Sequence, residues 1–493
     1  MKHRAPLTPA AAAAALAALA GAAHLLAPAA PADGAPAAAA ARMPVERSVL
    51  VCPAPSSSDI AETAYTAITP AAPGASGRGT ARLLGATKEA KPVLELKEPG
   101  RPAGASASGA EAPALAGAAD GVLAPGWTAQ QTTKVAVGRA RGLLGAACTA
   151  PGTDFWFPGV STAKGREDYV HLTNPDDTAA VVDIKLFGPD GPVKADAGTN
   201  ENIRIDPRST KAVSLATLAP GAQLADAAAR VTTRAGRVGA SVQAGEEGVG
   251  ADWLPASADP APSLVLPGIP ADAASVKLVV FAPGEEDADL ALRLAGPNGS
   301  ISPAGSERLH VKAGMAASAD LKDLTRGEPG SLLLAPAEDG KPVPVVAALR
   351  VVRGSGAKQE LAFVPAAAPV GARATAADNR AGDGAGVLSL TAVGADAKVR
   401  VTASPGTEGG EPAVQEATVR AGTTQALPSP APAGLKGAYA LTVETLSGGP
   451  VYASRTLTLP HEGIPMFTVQ ALSDDRGTVA VPQARQDLSV LTR

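Results

Sequence analysis

Few residues of this chain belong to the types that carry out covalent chemistry. Its 493 residues include two cysteines and five histidines. Cys52 and Cys148 have no histidine near them in sequence and do not form a Cys-x-x-Cys motif, so the pattern does not favour a catalytic thiol. His171 and His310 fall in predicted strands without the spaced partners of a metal site. We therefore expect no catalytic residue, no metal site and no cofactor.

Sequence motifs for nucleophilic or phosphate chemistry point the same way. The segment Gly74-Ala-Ser-Gly77 is not a Gly-x-Ser-x-Gly nucleophile elbow, and neither a dinucleotide-binding glycine motif nor a P-loop occurs. Acidic residues cluster at Asp176–Asp177 and at Glu285–Asp289, where carboxylates could bind calcium or lie in solvated loops. These observations predict a protein that is not an enzyme.

A long stretch of the sequence recurs at a constant offset. His171–Gly191 lines up with Val279–Gly299 (279 − 171 = 108), so that Pro175 falls on Pro283 and a Gly-Pro-Asp-Gly segment falls on Gly-Pro-Asn-Gly. Both tetrapeptides predict turns, because proline fixes φ and the following Asp or Asn and Gly tolerate left-handed φ. A repeat of this length is a domain rather than a solenoid turn.

The segments that carry these residues are predicted to form short strands. The 45 prolines and 53 glycines interrupt alternating Val, Leu and Ile residues. Six or seven short alternating strands in about 110 residues are typical of an antiparallel β-sandwich, whereas a propeller blade needs only about 45 residues. We predict an all-β fold, a tandem array of antiparallel, immunoglobulin-like β-sandwich modules.

Four segments begin with an apolar residue before proline, at Cys52, Phe157, Leu266 and Val364. Proline is tolerated at the edge of a sheet, so each segment predicts the first strand of a module. The predicted modules are module 1 at 43–152 with a low-complexity insert at 100–119, module 2 at 153–262, module 3 at 263–360, and module 4 at 361–493. Module 4 is predicted to end in a C-terminal extension, Phe467–Arg493.

The N-terminus predicts export. Met1–Arg4 is basic, and an alanine- and leucine-rich run follows from Ala10 to about Ala27. Residues 1–42 are interpreted as a signal peptide or an N-terminal membrane anchor, followed by an Ala/Pro linker. We expect a location at the extracellular face of the cell envelope or secretion. The 43 basic and 47 acidic residues are well mixed, with a net charge of −4, which argues against nucleic acid as a partner.

The repeat places both cysteines at apolar positions of module 1. Cys52 takes the position before proline, and Cys148 aligns with Val242 in a strand at the end of module 2. Because the first and last strands of a sandwich can lie close together, and export provides oxidising conditions, we predict a disulfide. Two buried free thiols are the alternative.

Aromatic residues, only 3% of the chain, concentrate at predicted module junctions. Phe155, Trp156 and Phe157 join modules 1 and 2, and Trp253 leads from module 2 into module 3. These four side chains are candidates for inter-domain packing or, alternatively, for glycan contacts.

Several segments carry a resemblance to a known family. Val51-Cys-Pro53, Ala147–Phe157, Val479–Pro482 and Asp487–Val490 resemble an actinobacterial family of exported proteins classified as a domain of unknown function. The resemblance implies a cell-envelope location and a gene beside that of a membrane glycosyltransferase, hence a role in surface polysaccharide handling. It implies no active-site residues.

Together these observations predict an exported, non-enzymatic modular protein that acts as a cell-envelope scaffold or accessory partner. The expected partner is an envelope protein, such as a membrane glycosyltransferase, or a polysaccharide. The alternative is an array of modules that binds cell-wall glycan.

Overall fold

The computed structural model describes residues 41–72, 74, 76–87, 89, 91–195, 198–382, 386–430 and 432–481. Residues 1–40 of the predicted signal peptide or anchor lie outside the described residues. Pro44–Val479 form one compact unit, and the other unit comprises Met1–Met43 with Ala480–Arg493. Strands β1 (Ala41–Pro44) and β38 (Thr478–Val481) form a two-stranded sheet. In the described part of the chain, no helix is long and apolar enough to cross a membrane.

The first sandwich contains two four-stranded antiparallel sheets. Its strands are β2 (Arg47–Cys52), β3 (Glu62–Ile68), β4 (Ala81–Gly85), β5 (Pro92–Leu96), β6 (Ala103–Ser108), β7 (Leu115–Asp120), β8 (Thr128–Val135) and β9 (Gly142–Ala147). The strand orders are β2-β7-β4-β5 and β6-β3-β8-β9. A short 3-10 turn, Gly121–Leu123, follows β7.

The segment 100–119, predicted to be a low-complexity insert, supplies two strands of this sandwich. In β6, Ala103, Ala105 and Ala107 pack against the core while the intervening glycine and serines are exposed. Leu115 in β7 is fully buried, and β7 pairs with both β2 and β4. The insert prediction is therefore corrected: small alternating side chains form strands here, although their composition resembles a linker.

The second sandwich repeats the plan. Its strands are β10 (Asp154–Val160), β11 (Arg166–Asn174), β12 (Ala180–Gly188), β13 (Gly191–Pro192), β14 (Ile203–Ile205), β15 (Ser209–Ser214), β16 (Ala227–Ala235), β17 (Gly239–Glu246) and β18 (Gly250–Leu254), with helix α1 (Leu215–Leu218) after β15. The strand orders are β10-β16-β12-β13, with β14 also on β12, and β15-β11-β17-β18.

The third sandwich has the same order of pairing. Its strands are β19 (Leu264–Ile269), β20 (Ala273–Phe281), β21 (Ala288–Ala295), β22 (Ser300–Ile301), β23 (Arg308–Val311), β24 (Ala316–Lys322), β25 (Gly330–Pro336), β26 (Val346–Ser355) and β27 (Lys358–Pro365). The sheets run β19-β25-β21-β22, with β23 on β21, and β24-β20-β26-β27.

The fourth sandwich is larger in its first sheet. Its strands are β28 (Arg373–Asn379), β29 (Val387–Ala392), β30 (Ala397–Gly406), β31 (Gly409–Glu411), β32 (Ala413–Val419), β33 (Thr423–Pro428), β34 (Ala433–Lys436), β35 (Tyr439–Gly448), β36 (Val451–Thr458) and β37 (Phe467–Leu472). The sheets run β28-β35-β30-β31-β34, with β32 on β30, and β33-β29-β36-β37. The predicted all-β array of antiparallel sandwiches is confirmed.

Two of the predicted boundaries of the fourth module differ from the structure. Val364 and Pro365 end β27, the last strand of the third sandwich, and the first strand of the fourth is β28. An edge strand accepts proline at its end as well as at its start, so the apolar-proline pair does not identify a first strand. Residues 467–472, predicted to begin a C-terminal extension, form β37 and pair with β36.

The last strands of the four sandwiches meet one another. We call β9, β18, β27 and β37 the closing strands, because each completes the second sheet of its sandwich. β18 contacts β9 and β27, and β37 also contacts both β9 and β27. The closing strands therefore contact each other in a closed cycle of four.

The first strands extend the same cycle. β10 packs on β26 of the third sandwich, β19 on β36 of the fourth, and β28 of the fourth on β8 of the first. In the first sandwich, Val51 of β2 lies against Gly239 at the start of β17. Each first strand thus packs on the next sandwich, and the fourth sandwich packs on the first, so the four sandwiches form a ring.

Candidate functional site

The predicted disulfide is confirmed. Cys52, at the end of β2, and Cys148, directly after β9, are bonded, and their Cα atoms are 4.4 Å apart. The alignment of Cys148 with Val242 is wrong, because Val242 lies in β17, one strand before the closing strand of its sandwich. The bond ties the first strand of the first sandwich to its closing strand, and both sulfurs lie in its core.

Trp156 lies between the second and third sandwiches. Its ring centroid is 5.5 Å from that of Phe281 in β20 and 6.5 Å from that of Phe187. The Arg230 guanidinium lies over the indole at 4.4 Å. Trp156 and Phe281 are both buried and belong to one apolar cluster that crosses the boundary. The neighbouring Phe157 is fully buried in the second sandwich, and the half-buried Phe155 packs against the same core.

Trp253 lies between the first and second sandwiches. It is 1% exposed and packs with Ala61, Val135, Leu144 and Ala146 of the first sandwich. The predicted position between modules 2 and 3 therefore differs from the one observed, because β18 folds back as the closing strand of the second sandwich. Of the four aromatic candidates, Trp156, Phe157 and Trp253 are buried and Phe155 is half-buried.

The two acidic loops form ion pairs with nearby basic side chains. Asp176 receives a bidentate hydrogen bond from Arg237 at 2.9 and 3.0 Å. In the second loop, Asp289 lies 2.8 Å from His310 Nδ1. In the described parts of the chain, no group of three or more His, Cys, Asp or Glu side chains is placed to hold a metal ion.

The most unusual chemistry of the fold lies where the closing strands meet. Five side chains there interact electrostatically with one another across sandwich boundaries, and we call them the junction cluster. They are Arg141, Asp252, Glu360, Asp378 and Arg455. All except Arg141 are 0% exposed, so a substrate has no access to those four side chains in this arrangement.

Asp252 of β18 joins three closing strands. Its Oδ1 accepts hydrogen bonds from the amides of Gly145 in β9 at 3.0 Å and of Trp253 at 2.8 Å. Its Oδ2 accepts one from Thr468 Oγ1 in β37 at 3.0 Å. Burial raises the pKa of Asp252 well above its ordinary value, although these bonds and Arg455 act in the opposite direction. The Asp252 carboxyl therefore connects the first, second and fourth sandwiches.

Glu360 of β27 supplies the carboxyl from the third sandwich. Burial raises the pKa of Glu360 to about 9, with Arg141 opposing the shift and Asp252 adding to it. The carboxyl lies against Gly250 of β18, where a Cβ atom would collide with it. Gly250 has a φ of +153°, which L side chains rarely adopt, so glycine suits this close approach of the second and third sandwiches.

Arg141 connects three sandwiches through backbone carbonyls. It lies between β8 and β9 of the first sandwich, and its Nη2 donates to Val249 O in the second and to Gln359 O, at 2.6 Å, in the third. Hydrogen bonds from a charged donor are among the stronger ones in proteins. Arg141 thereby fixes the loop before β9 against both neighbours.

Arg455 and Asp378 join the fourth sandwich to the first. Arg455 donates to Gln130 Oε1 of β8 at 3.2 Å and to Gln470 Oε1. Gln130 Oε1 also accepts from the Asp378 amide at 2.9 Å, and Thr132 Oγ1 donates to Asp378 Oδ2 at 2.5 Å. Burial lowers the pKa of Arg455 to about 10, an effect that Asp378 opposes, so the guanidinium remains charged at neutral pH.

Sequence reasoning missed the junction cluster, because the cluster is formed by contacts between sandwiches, and these join residues more than 100 positions apart. One signal was available. Asp252 and Glu360 are separated by the repeat offset (360 − 252 = 108) and are therefore equivalent carboxylates in consecutive copies. Each is followed directly by apolar residues of its strand, Trp253–Leu254 and Leu361–Val364, where an acidic residue predicts a buried or functional role.

Comparison with known proteins gives one result. The model of a family of unknown function (DUF5719) matches residues 103–430, well over half of the chain. No curated protein and no solved structure matches. The matched segment begins in β6 of the first sandwich and ends after β33 of the fourth, so it contains the second and third sandwiches entire. The chain belongs to the family of unknown function DUF5719.

Proposed function

We propose that this chain is an exported, non-enzymatic scaffold or accessory protein of the actinobacterial cell envelope, with a role in surface polysaccharide handling. The observation that carries the proposal is the closure of four sandwiches into a ring through buried contacts. A ring in which each sandwich is held by two neighbours presents loops and sheet faces in fixed relative positions. That property suits a protein that positions other molecules.

The junction cluster supports this role. Asp252 and Asp378 accept hydrogen bonds across sandwich boundaries, and Arg455 donates one. Both Glu360 oxygens and the Arg455 Nε and Nη1 atoms are buried without a hydrogen-bond partner among the described residues. Buried polar groups of this kind cost free energy unless they are paired, and they favour one arrangement over alternatives. We infer that the cluster selects the register in which the sandwiches close.

Export and the envelope location rest on other features. The basic and alanine-rich N-terminal sequence is typical of a signal peptide or anchor, and a disulfide is favoured outside the reducing cytosol. The expected partner is a membrane glycosyltransferase or another envelope protein. A scaffold tied to such an enzyme would hold it, or its polysaccharide product, at the outer face of the membrane.

Affinity capture of the full chain from the native envelope, followed by mass spectrometry of bound proteins and of the mature N-terminus, tests this proposal. We expect a membrane glycosyltransferase to be enriched, and an N-terminus that is either cleaved near Asp33 or intact as an anchor. The comparison variant is Trp156→Ala, which weakens the contact between the second and third sandwiches and should lose the enriched enzyme while urea unfolding still shows a folded chain. Purified protein that hydrolyses or transfers an envelope glycan would contradict the proposal.

The alternative, a glycan-binding array, loses its original candidate residues. Trp156 and Trp253 are 6% and 1% exposed, and their rings are covered by neighbouring sandwiches. Stacking of a sugar on either indole would require the sandwiches to separate. Any glycan-binding role must therefore use a different surface.

A further inference from the structure

A cleft opens between the first and second sandwiches. One wall is the loop 137–140 that joins β8 to β9, and the floor is the outer face of β11, β15 and β17. Its volume is about 510 Å³, which is within the usual range for small-molecule sites. The floor carries Tyr169, His171 and Gln243, and Arg139 and Glu167 stand at the side.

Tyr169 is the most solvent-exposed aromatic side chain of the chain. The thirteen aromatic residues (six Phe, three Trp, four Tyr) all lie within the described ranges, and Tyr169 is 38% exposed. The other twelve are buried or half-buried and serve the cores and the boundaries between sandwiches. A protein with so few aromatic residues therefore leaves one ring open, and that ring lies in the cleft.

Neutral hydrogen-bonding groups lie beside this ring. Gln243 is directly opposite Tyr169 in the pairing of β17 with β11, and His171 is two residues further along the same face. Burial lowers the pKa of His171 to about 4, while its contact with Gln243 opposes the shift, so the imidazole is neutral at physiological pH. The His171 ring is edge-on to Trp253, with centroids 4.9 Å apart, which fixes its orientation.

The charged groups of the cleft compensate each other. Arg139 of the first sandwich and Glu167 of the second form an ion pair at 2.8 Å. Ser57 and Ser58 add hydroxyl groups at the edge. A ligand that combines an apolar face with many hydroxyls, and carries no net charge, matches this combination of a ring, an amide, a neutral imidazole and hydroxyls.

The corresponding cleft of the first sandwich gives an internal comparison. It has a volume of about 450 Å³ and lies on β3, β6 and β8, with Arg380 and Leu459 of the fourth sandwich beside it. Its floor is formed by Glu62, Ala64, Ser106, Ser108, Thr132 and Lys134, with no aromatic ring. The exposed tyrosine of the cleft is thus not a general consequence of the repeated fold.

We propose that the cleft between the first and second sandwiches binds a neutral saccharide, with the C–H face of one sugar ring stacked on Tyr169 and its hydroxyls hydrogen-bonded to Gln243 and His171. This site adds a ligand to the scaffold, and it does not depend on the identity of the protein partner. The tyrosine ring supplies apolar contact area, and the polar groups on either side define the orientation of the sugar.

Isothermal titration of the full chain with four neutral tetrasaccharides, namely mannotetraose, maltotetraose, galactotetraose and tetra-N-acetylchitotetraose, tests the proposal. We expect at least one to bind with a Kd of about 1 mM or tighter when titrated up to about 10 mM. Tyr169→Ala should weaken that binding about tenfold or more, while Tyr169→Phe, which keeps the ring, should stay within about threefold.

Two further variants keep the test decisive. Gln243→Asn shortens the amide side chain and should weaken binding, and Lys134→Ala in the comparison cleft should leave it unchanged. Urea unfolding of each variant shows whether the fold is retained. Because the Tyr169 ring is exposed, its removal should change the free energy of unfolding little. The proposal is overturned if the wild-type chain binds none of the four saccharides, or if folded Tyr169→Ala binds as tightly as the wild type.

Discussion

Thr468 of the fourth sandwich donates a hydrogen bond of 3.0 Å to Asp252 of the second sandwich, across 216 residues of sequence. The same carboxyl accepts the Gly145 amide of the first sandwich. One buried acid therefore holds three of the four closing strands. The stability of the whole ring should depend on this residue more than on any surface ion pair.

Asp252→Ala should lower the free energy of unfolding by about 3 kcal/mol or more, because it leaves the amides of Gly145 and Trp253 and the Thr468 hydroxyl buried without an acceptor. Asp252→Asn keeps an acceptor oxygen at this position and should cost clearly less. Urea unfolding measures both variants. The control is Asp190→Ala at an exposed turn, expected to change stability by less than about 0.5 kcal/mol. Equal losses for Asp252→Ala and Asp252→Asn would contradict this account.

Glu360 should make stability depend on pH. In the unfolded chain this carboxyl releases its proton near 4.5, whereas in the folded state it keeps it up to about pH 9, its raised pKa. The folded state then binds more protons, so the contribution of Glu360 to the free energy of unfolding is present below pH 4.5 and is lost as pH rises towards 9.

Urea unfolding of the wild type and Glu360→Gln at about pH 5, 7 and 9 measures this effect. The wild type should lose stability relative to the variant as pH rises, because glutamine does not titrate. Glu338→Gln, at an exposed position, is the matched control and should follow the wild-type curve. Parallel curves for the wild type and Glu360→Gln would show that Glu360 is not held protonated in the folded protein.

The disulfide should contribute substantially to the stability of the first sandwich. Cys52 and Cys148 are 96 residues apart, and closing a loop of that length stabilises a folded domain by about 4–5 kcal/mol in the chain-entropy estimate. Cys52→Ala with Cys148→Ala should lower the melting temperature, and dithiothreitol should lower that of the wild type in the same way. The double variant has no other cysteine, so its own melting temperature should not respond to the reductant.

Trp156 and Phe281 should be coupled across the boundary of the second and third sandwiches. Trp156→Ala removes a buried ring and should cost about 3–5 kcal/mol. In a double-mutant cycle with Phe281→Ala, the double variant should lose about 0.5–1.5 kcal/mol less stability than the sum of the two single losses, since the rings contact one another. Full additivity would mean that the two sandwiches do not make this contact in solution.

The sequence predicted the sandwiches and the disulfide because both depend on local signals and on one clear repeat. Alternation of apolar residues marks strands such as β12 and β21, and the offset of 108 aligns them. The closing strands were not recognised as a set. β9 and β18 are short, and the sequence prediction places β27 across a module boundary and β37 in a C-terminal extension.

The ring itself lies beyond pattern analysis. Strand alternation reports which face of a sheet is buried, not which sandwich covers it. Glu360 and Asp252 show the difference: each is an acidic residue in a strand, and only the contacts between sandwiches explain why both are fully buried. The solvent exposure of Tyr169 follows from strand alternation, because Val170 and Leu172 lie in the core. Alternation does not predict the cleft in which its ring lies.

Oxidative cross-linking between the first and fourth sandwiches tests the closure of the ring most directly. Ile68 of β3 and Ala440 of β35 are buried in one apolar cluster with Ala377. The variant Ile68→Cys, Ala440→Cys, with the native disulfide retained, should form a second intramolecular disulfide on mild oxidation, detected by peptide mass spectrometry. Ile68→Cys with Ala374→Cys, which lies in the separate core of the fourth sandwich, should not. If the two introduced thiols of the first variant stay free under oxidation and react with maleimide only after unfolding, the four sandwiches do not close into a ring.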